Sequence, residues 1–96
     1  MFLLSTVTAE VDEKSERRSF DEFGFRGFCV RKCGFGSSQE SALRKIEADI
    51  IDYFLVEMEI NISKDMSFEY EDINAYSDIA EFELSGDKET GYVFWN

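Results

Sequence analysis

The sequence predicts an α+β domain in which a curved antiparallel sheet of about five or six strands packs on one main helix. Three observations predict it. Apolar residues recur at spacings of three and four from Ala42 to Phe54, the signature of one helix. Apolar and polar residues alternate in several short runs on either side of that helix, the signature of half-buried strands. The chain has 96 residues and no proline, which suits a single domain with most of its backbone in regular hydrogen-bonded elements.

The elements follow in order. Phe2 to Val11 is rich in apolar and β-branched residues and reads as the first strand. Asp12 to Ser19 carries charges of both signs and reads as a hairpin loop. Phe20 to Cys33 reads as the second strand, with Gly24 and Gly27 marking a bulge or a close backbone approach. Gly34-Phe35-Gly36 is expected to break it. Ser37 with Glu40, or Ser38 with Ser41, then offers a helix cap, the first pair at capping-box spacing. Ala42, Leu43, Ile46, Ile50, Tyr53 and Phe54 make one apolar stripe of this helix, which is expected to end near Tyr53 to Leu55.

From Phe54 to Ile62 the period changes to two, so a strand is expected there. Lys64 and Asp65 make a turn. Ser67 to Asp72 alternates Phe68 and Tyr70 against Glu69 and Glu71 and reads as a strand whose aromatics face the core. Ile73 to Asp78 reads as a polar connection carrying Tyr76. Ile79 to Leu84 and Gly91 to Trp95 read as a terminal hairpin across the intervening Gly86 turn. The expected order is β-β-α-β-β-β-β.

Charge is distributed unevenly along this chain. Met1 to Ile46 holds seven acidic and eight basic residues, a net of +1. Glu47 to Asn96 holds fourteen acidic residues against Lys64 and Lys88 alone, a net of −12, and the two halves give the overall −11. Self-repulsion of that size disfavours the compact state, so a use outside the fold is indicated. The pI near 4.3 argues against direct nucleic-acid binding, which needs cations to displace counterions from phosphates. It equally argues against an anionic membrane surface. The aromatic share of 16% is too high for a disordered acidic tail.

Catalysis lacks the usual parts. The sequence has no histidine, and it shows no nucleophile-elbow, phosphate-loop or dinucleotide-binding spacing. It is read as non-catalytic, with no cofactor and no metal site; Asp72 with Asp78 is the best carboxylate pair for a cation, and neither lies in an EF-hand pattern. Cys29 and Cys33, four apart on one strand, would stand about 13 Å apart, too far for a disulfide. They are read as small apolar residues of a strand face. Met1-Phe2-Leu3-Leu4 lacks the basic and apolar regions of a signal peptide, so the expected location is cytoplasmic.

The residues expected to bind a partner are the acids of the second half and the aromatics among them. Glu57 with Glu59, Glu69 with Glu71, and Glu81 with Glu83 are spaced two apart, so on strands each pair would share a face. Six carboxylates would then line one side of the sheet. Asp65, Asp72, Asp78, Asp87 and Glu89 extend the surface, and Tyr70, Tyr76 and Trp95 supply interface anchors of the kind that meet arginine and lysine. Tyr76 and Trp95 are expected to be exposed. An ordinary solvated sheet face explains the polarity of these positions and leaves the near absence of lysine and arginine unexplained.

The expected partner is therefore a basic protein, such as a nuclease toxin or a nucleic-acid-binding complex. The favoured reading is a small inhibitor of the immunity-protein or antitoxin kind. A phage-encoded DNA mimic that blocks a host defence system (anti-CRISPR or anti-restriction) has the same physical character. An adaptor that pairs through an edge strand at Gly91 to Trp95, including pairing with a second copy as a homodimer, is the alternative from a different class.

Overall fold

The computed structural model describes residues 1–12, 24–62 and 66–96. Strand β1 (Phe2–Val11) lies inside the sheet, paired antiparallel on one side with β2 (Gly27–Phe35) and on the other with β3 (Met66–Tyr76). A short strand β4 (Val93–Trp95) pairs antiparallel with the start of β2, so the sheet order is β3-β1-β2-β4. Helix α1 (Gln39–Glu57) covers one face, and a seven-residue helix α2 (Ile79–Ser85) covers one end of the other.

The register sorts the side chains between these faces. Leu3, Val7 and Ala9 of β1 and Phe28 and Val30 of β2 meet Ala42, Ile46, Ile50 and Phe54 of α1 in the main core. All nine are buried, and burial of this kind supplies most of the driving force for folding. Phe54 is ringed by Phe25, Phe28, Tyr92 and Phe94 at centroid distances of 4.8–6.0 Å. Close approach of the layers depends on Gly34, where a Cβ would stand 2.7 Å from the Ile46 side chain and 2.9 Å from the Ala42 carbonyl. On the opposite face Phe2, Leu4 and Tyr76 form a small second core under Phe82 of α2.

Four expectations are corrected. Helix α1 does not end near Tyr53 to Leu55 but runs through Glu57, and the expected strand at Phe54 to Ile62 is absent. Phe54 completes the i, i+4 buried stripe, while Val56 and Met58 are exposed, so the period-two pattern there reflects no buried face. Helix growth is cooperative, and no glycine or proline stops it earlier. It stops where Glu59 enters the left-handed region (φ 57°) and the Ile60 N–H turns back to the Phe54 carbonyl at 3.1 Å.

The expected strand Ile79 to Leu84 is helix α2, so no terminal hairpin forms, and β4 pairs with β2 instead. Asp78 caps α2 and accepts from the Glu81 N–H at 2.9 Å, and Gly86 closes it in the left-handed conformation. The expected connection Ile73 to Asp78 is strand as far as Tyr76. A bulge hides it: Leu4 faces Asn74 and Thr6 faces Glu71, so Asp72 and Ile73 share the space opposite Ser5. Asp72 takes φ 49° there, and the facing of β3 shifts by one residue. The sheet thus has four strands, with two helices rather than one.

Smaller differences concern ends. β2 begins at Gly27 and continues through Phe35, so the chain breaks at Gly36 rather than at Gly34. The cap of α1 is Ser38 with Ser41 rather than Ser37 with Glu40. The expected loop beyond Asp12, the Phe20 to Phe23 part of the second strand and the Lys64-Asp65 turn lie outside the described residues.

Candidate functional site

The sheet face opposite α1 is only partly covered. Beyond the reach of α2 it presents Thr6, Thr8 and Glu10 from β1, Cys29 and Arg31 from β2, and Ser67, Glu69 and Glu71 from β3. Glu10, Ser67, Glu69 and Glu71 are exposed. Thr8, Glu10, Ser67 and Glu69 line a shallow recess of about 120 Å³. Arg31 is the cation of this surface, and it serves the sheet: one guanidinium nitrogen donates to Thr6 Oγ1 and to the Asp72 carbonyl, both at 2.9 Å. It spans β1 and satisfies the carbonyl that the bulge turns outward.

The expected carboxylates fall into two groups. Asp78, Glu81, Asp87 and Glu89 are engaged inside the fold. Asp78 caps α2, and Glu81 accepts from the Ser77 N–H at 2.9 Å and from the Ser77 hydroxyl. Those bonds to Ser77 hold the Glu81 carboxyl below its usual pKa. Asp87 accepts from the Tyr76 hydroxyl, and that bond raises the Tyr76 pKa. Glu89 accepts from the Cys33 N–H at 3.1 Å, where the C-terminal segment runs beside β2, and Thr90 exchanges two 3.0 Å bonds with the backbone of Arg31.

Glu57, Glu59, Glu69, Glu71, Asp72 and Glu83 have exposed side chains with no lysine or arginine in salt-bridge range among the described residues. Glu69 and Glu71 share the uncovered face, as their spacing implies. Glu57 and Glu59 lie at the end of α1, in the other layer, and Glu81 and Glu83 stand on a helix, where residues two apart diverge. The expected face of six carboxylates is therefore not formed; one of its three pairs is. Asp65 lies outside the described residues. From Met66 to Thr90 the sequence holds eight carboxylates against Lys88; Asp78, Glu81, Asp87 and Glu89 are bonded within the fold, and Glu69 and Glu71 share the uncovered sheet face with Glu10.

The aromatic anchors are placed differently from expectation. Tyr76 is 8% exposed and packs on Phe2 and Phe82. Trp95 is half-buried and its ring covers Gly27, where a Cβ would meet it at 2.6 Å. Tyr70 is on the α1 side, half-buried; burial of its hydroxyl and the nearby Glu47 carboxylate push its pKa up to about 12. That hydroxyl has no hydrogen-bond partner among the described residues.

Glu10, Thr8 and Ser67 were not anticipated as parts of this surface. The polar parity of β1 (Thr6, Thr8, Glu10) was the available signal. Cys29 and Cys33 are free thiols on one strand, and no group of three or more cysteine, aspartate or glutamate side chains among the described residues is arranged to hold a metal ion. No helix among the described residues is long and apolar enough to cross a membrane. Compared with protein-family models, curated proteins and solved structures, the chain finds no significant match.

Proposed function

We propose that this chain is a small non-catalytic inhibitor whose acidic sheet face, along β1 and β3, binds a basic nucleic-acid-processing protein. The observation that carries the reading is the uncovered sheet face with Glu10, Glu69 and Glu71, carboxylates exposed to solvent beside an arginine already committed to the fold. Glu10 stands diagonal to Glu69 across the β1–β3 pair, and Glu69 and Glu71 share one side of β3, so mutual repulsion of these like charges costs stability. A basic partner removes that penalty on binding, and opposite charge speeds the encounter.

The placement of the aromatics bears on the kind of inhibitor. An immunity protein or antitoxin built on exposed aromatic anchors draws no support from Tyr76 and Trp95, which are engaged in packing. Exposed carboxylates on one sheet face (Glu10, Glu69 and Glu71) with no exposed aromatic anchor among them suit a mimic of nucleic-acid phosphates, as in an inhibitor of a host defence complex. Both share the same class of target.

The test uses the protein captured from native lysate at low salt and released as salt is raised. The double variant Glu69→Lys, Glu71→Lys is expected to slow association with it at least about tenfold at low salt, with the effect shrinking as salt screens the charges. An unchanged on-rate with the variant still folded by circular dichroism would refute the reading.

A further inference from the structure

The outer edge of β3 is unpaired among the described residues, and its backbone directions can be derived. Val11 donates its N–H to the Arg26 carbonyl at 2.9 Å, and the Met1 carbonyl accepts from Gly36 at 3.0 Å. Odd-numbered residues of β1 therefore turn their backbone groups toward β2, and even-numbered ones toward β3. Ser67, Glu69 and Glu71 lie opposite Glu10, Thr8 and Thr6 and bond inward. Phe68 and Tyr70, between them, point N–H and C=O outward, away from the sheet.

This edge has two chemically different flanks. On the uncovered face Glu69 and Glu71 stand about 7 Å apart, two strand residues. On the α1 face Phe68, Tyr70 and Ile73 are half-buried and pack against the core, leaving apolar surface at the border. We propose that the β3 edge, from Met66 to the bulge at Asp72, accepts an extended segment of the partner protein as a fifth strand, with lysine or arginine at alternate positions and apolar residues between them. Its backbone would bond to Phe68 and Tyr70. Its cations would lie opposite Glu69 and Glu71 in the closely spaced, non-hydrogen-bonded pairs, and its apolar residues beside Phe68 and Tyr70.

Charge selects this occupant over a second copy of the chain. Two β3 edges side by side would oppose carboxylate to carboxylate, which is how natural edges resist self-pairing. The same glutamates that exclude another β3 attract a basic strand. The bulge sets the limit of the docking edge, because Asp72 turns its carbonyl to Arg31 and breaks the regular spacing.

The inference rests on the acidic-surface reading and adds a main-chain mode to it. The test adds a short peptide alternating lysine and valine to the full chain at low salt and follows amide hydrogen exchange residue by residue. Exchange at Phe68 and Tyr70 is expected to slow at least about tenfold, as for amides newly closed into a ladder. The same peptide N-methylated on its edge-facing amides keeps its charge and is expected to bind at least about tenfold more weakly. Equal binding of the two peptides, or binding without protection at Phe68 and Tyr70, overturns strand addition and leaves the electrostatic reading standing. Protection of these amides by the protein alone as its concentration rises overturns the choice of occupant in favour of a second copy. Failure of both peptides to bind also overturns it, and the on-rate of the charge-reversed variant then decides the acidic-surface reading separately.

Discussion

Ser5 shows how one side chain supports an irregularity. It is fully buried, and its single hydroxyl proton is shared between the Thr6 carbonyl at 3.1 Å and the Glu71 carbonyl at 3.3 Å beside the β3 bulge. Ser5→Ala leaves those carbonyls short of a donor and is expected to cost about 1–2 kcal/mol, read as a lower denaturant midpoint with unchanged slope. Cys33 gives a pH prediction. Burial of its thiol, with the Glu89 charge next to it, pushes its pKa from 9.0 up to about 11. Between those values the unfolded chain has released the proton and the folded chain still holds it, so stability falls as pH rises from 9 to about 11. Alkylation of Cys33 in the folded protein should therefore inflect near pH 11, and a rate that levels off near pH 9 would contradict the assignment.

At the scale of elements, stability and legibility both follow from signals at helix ends. Asp78 and Glu81 close the first turn of α2, a helix with no buried residue of its own, held to the sheet through Phe82. Asp78→Ala should cost about 1 kcal/mol and loosen this helix first, so amide exchange from Glu81 to Ser85 would rise while α1 stays protected. The Asp-x-x-Glu spacing at Asp78 and the glycine at Gly86 were present in the sequence, yet Phe82 and Leu84 alternating with Glu81 and Glu83 gave a competing strand pattern. In a seven-residue helix two periods cannot be told apart by apolar spacing, so the caps carry the information. In α1 the apolar stripe is long enough to be unambiguous; Ala42, Ile46, Ile50 and Phe54 of it are buried, Tyr53 is exposed, and the helix runs past the expected end. The bulge at Asp72 had no legible signal, because it appears only when β3 is set against β1.

For the whole molecule, the acidic half was legible as composition, while its grouping depended on which segments became helices. Glu69 and Glu71 came together as their spacing implied; Glu57, Glu59, Glu81 and Glu83 were separated from them by the two helices. Net charge of −11 over 96 residues predicts a salt response. Raising ionic strength from about 0.01 M to 0.15 M shortens the screening length from about 30 to 8 Å, which weakens repulsion across the molecule. The melting temperature should rise, by about 4–8 °C for each kcal/mol recovered, and a flat or falling Tm would show that attractive pairs dominate instead.

The position of β1 also governs how this chain is made. Phe2 pairs with Tyr76 and Val11 with Met66, while on its other side β1 pairs with β2. During synthesis β2 emerges early and can close one side of β1. The other side, in a strand where Phe2, Leu3, Leu4, Val7 and Ala9 are all buried in the finished fold, has no partner until β3 leaves the ribosome. Contacts so far apart in sequence slow folding, and an open apolar strand in a nascent chain is a hazard for aggregation. The sheet is therefore completed only once β3 has been translated, and until then the Phe2–Val11 segment keeps one unpaired apolar edge.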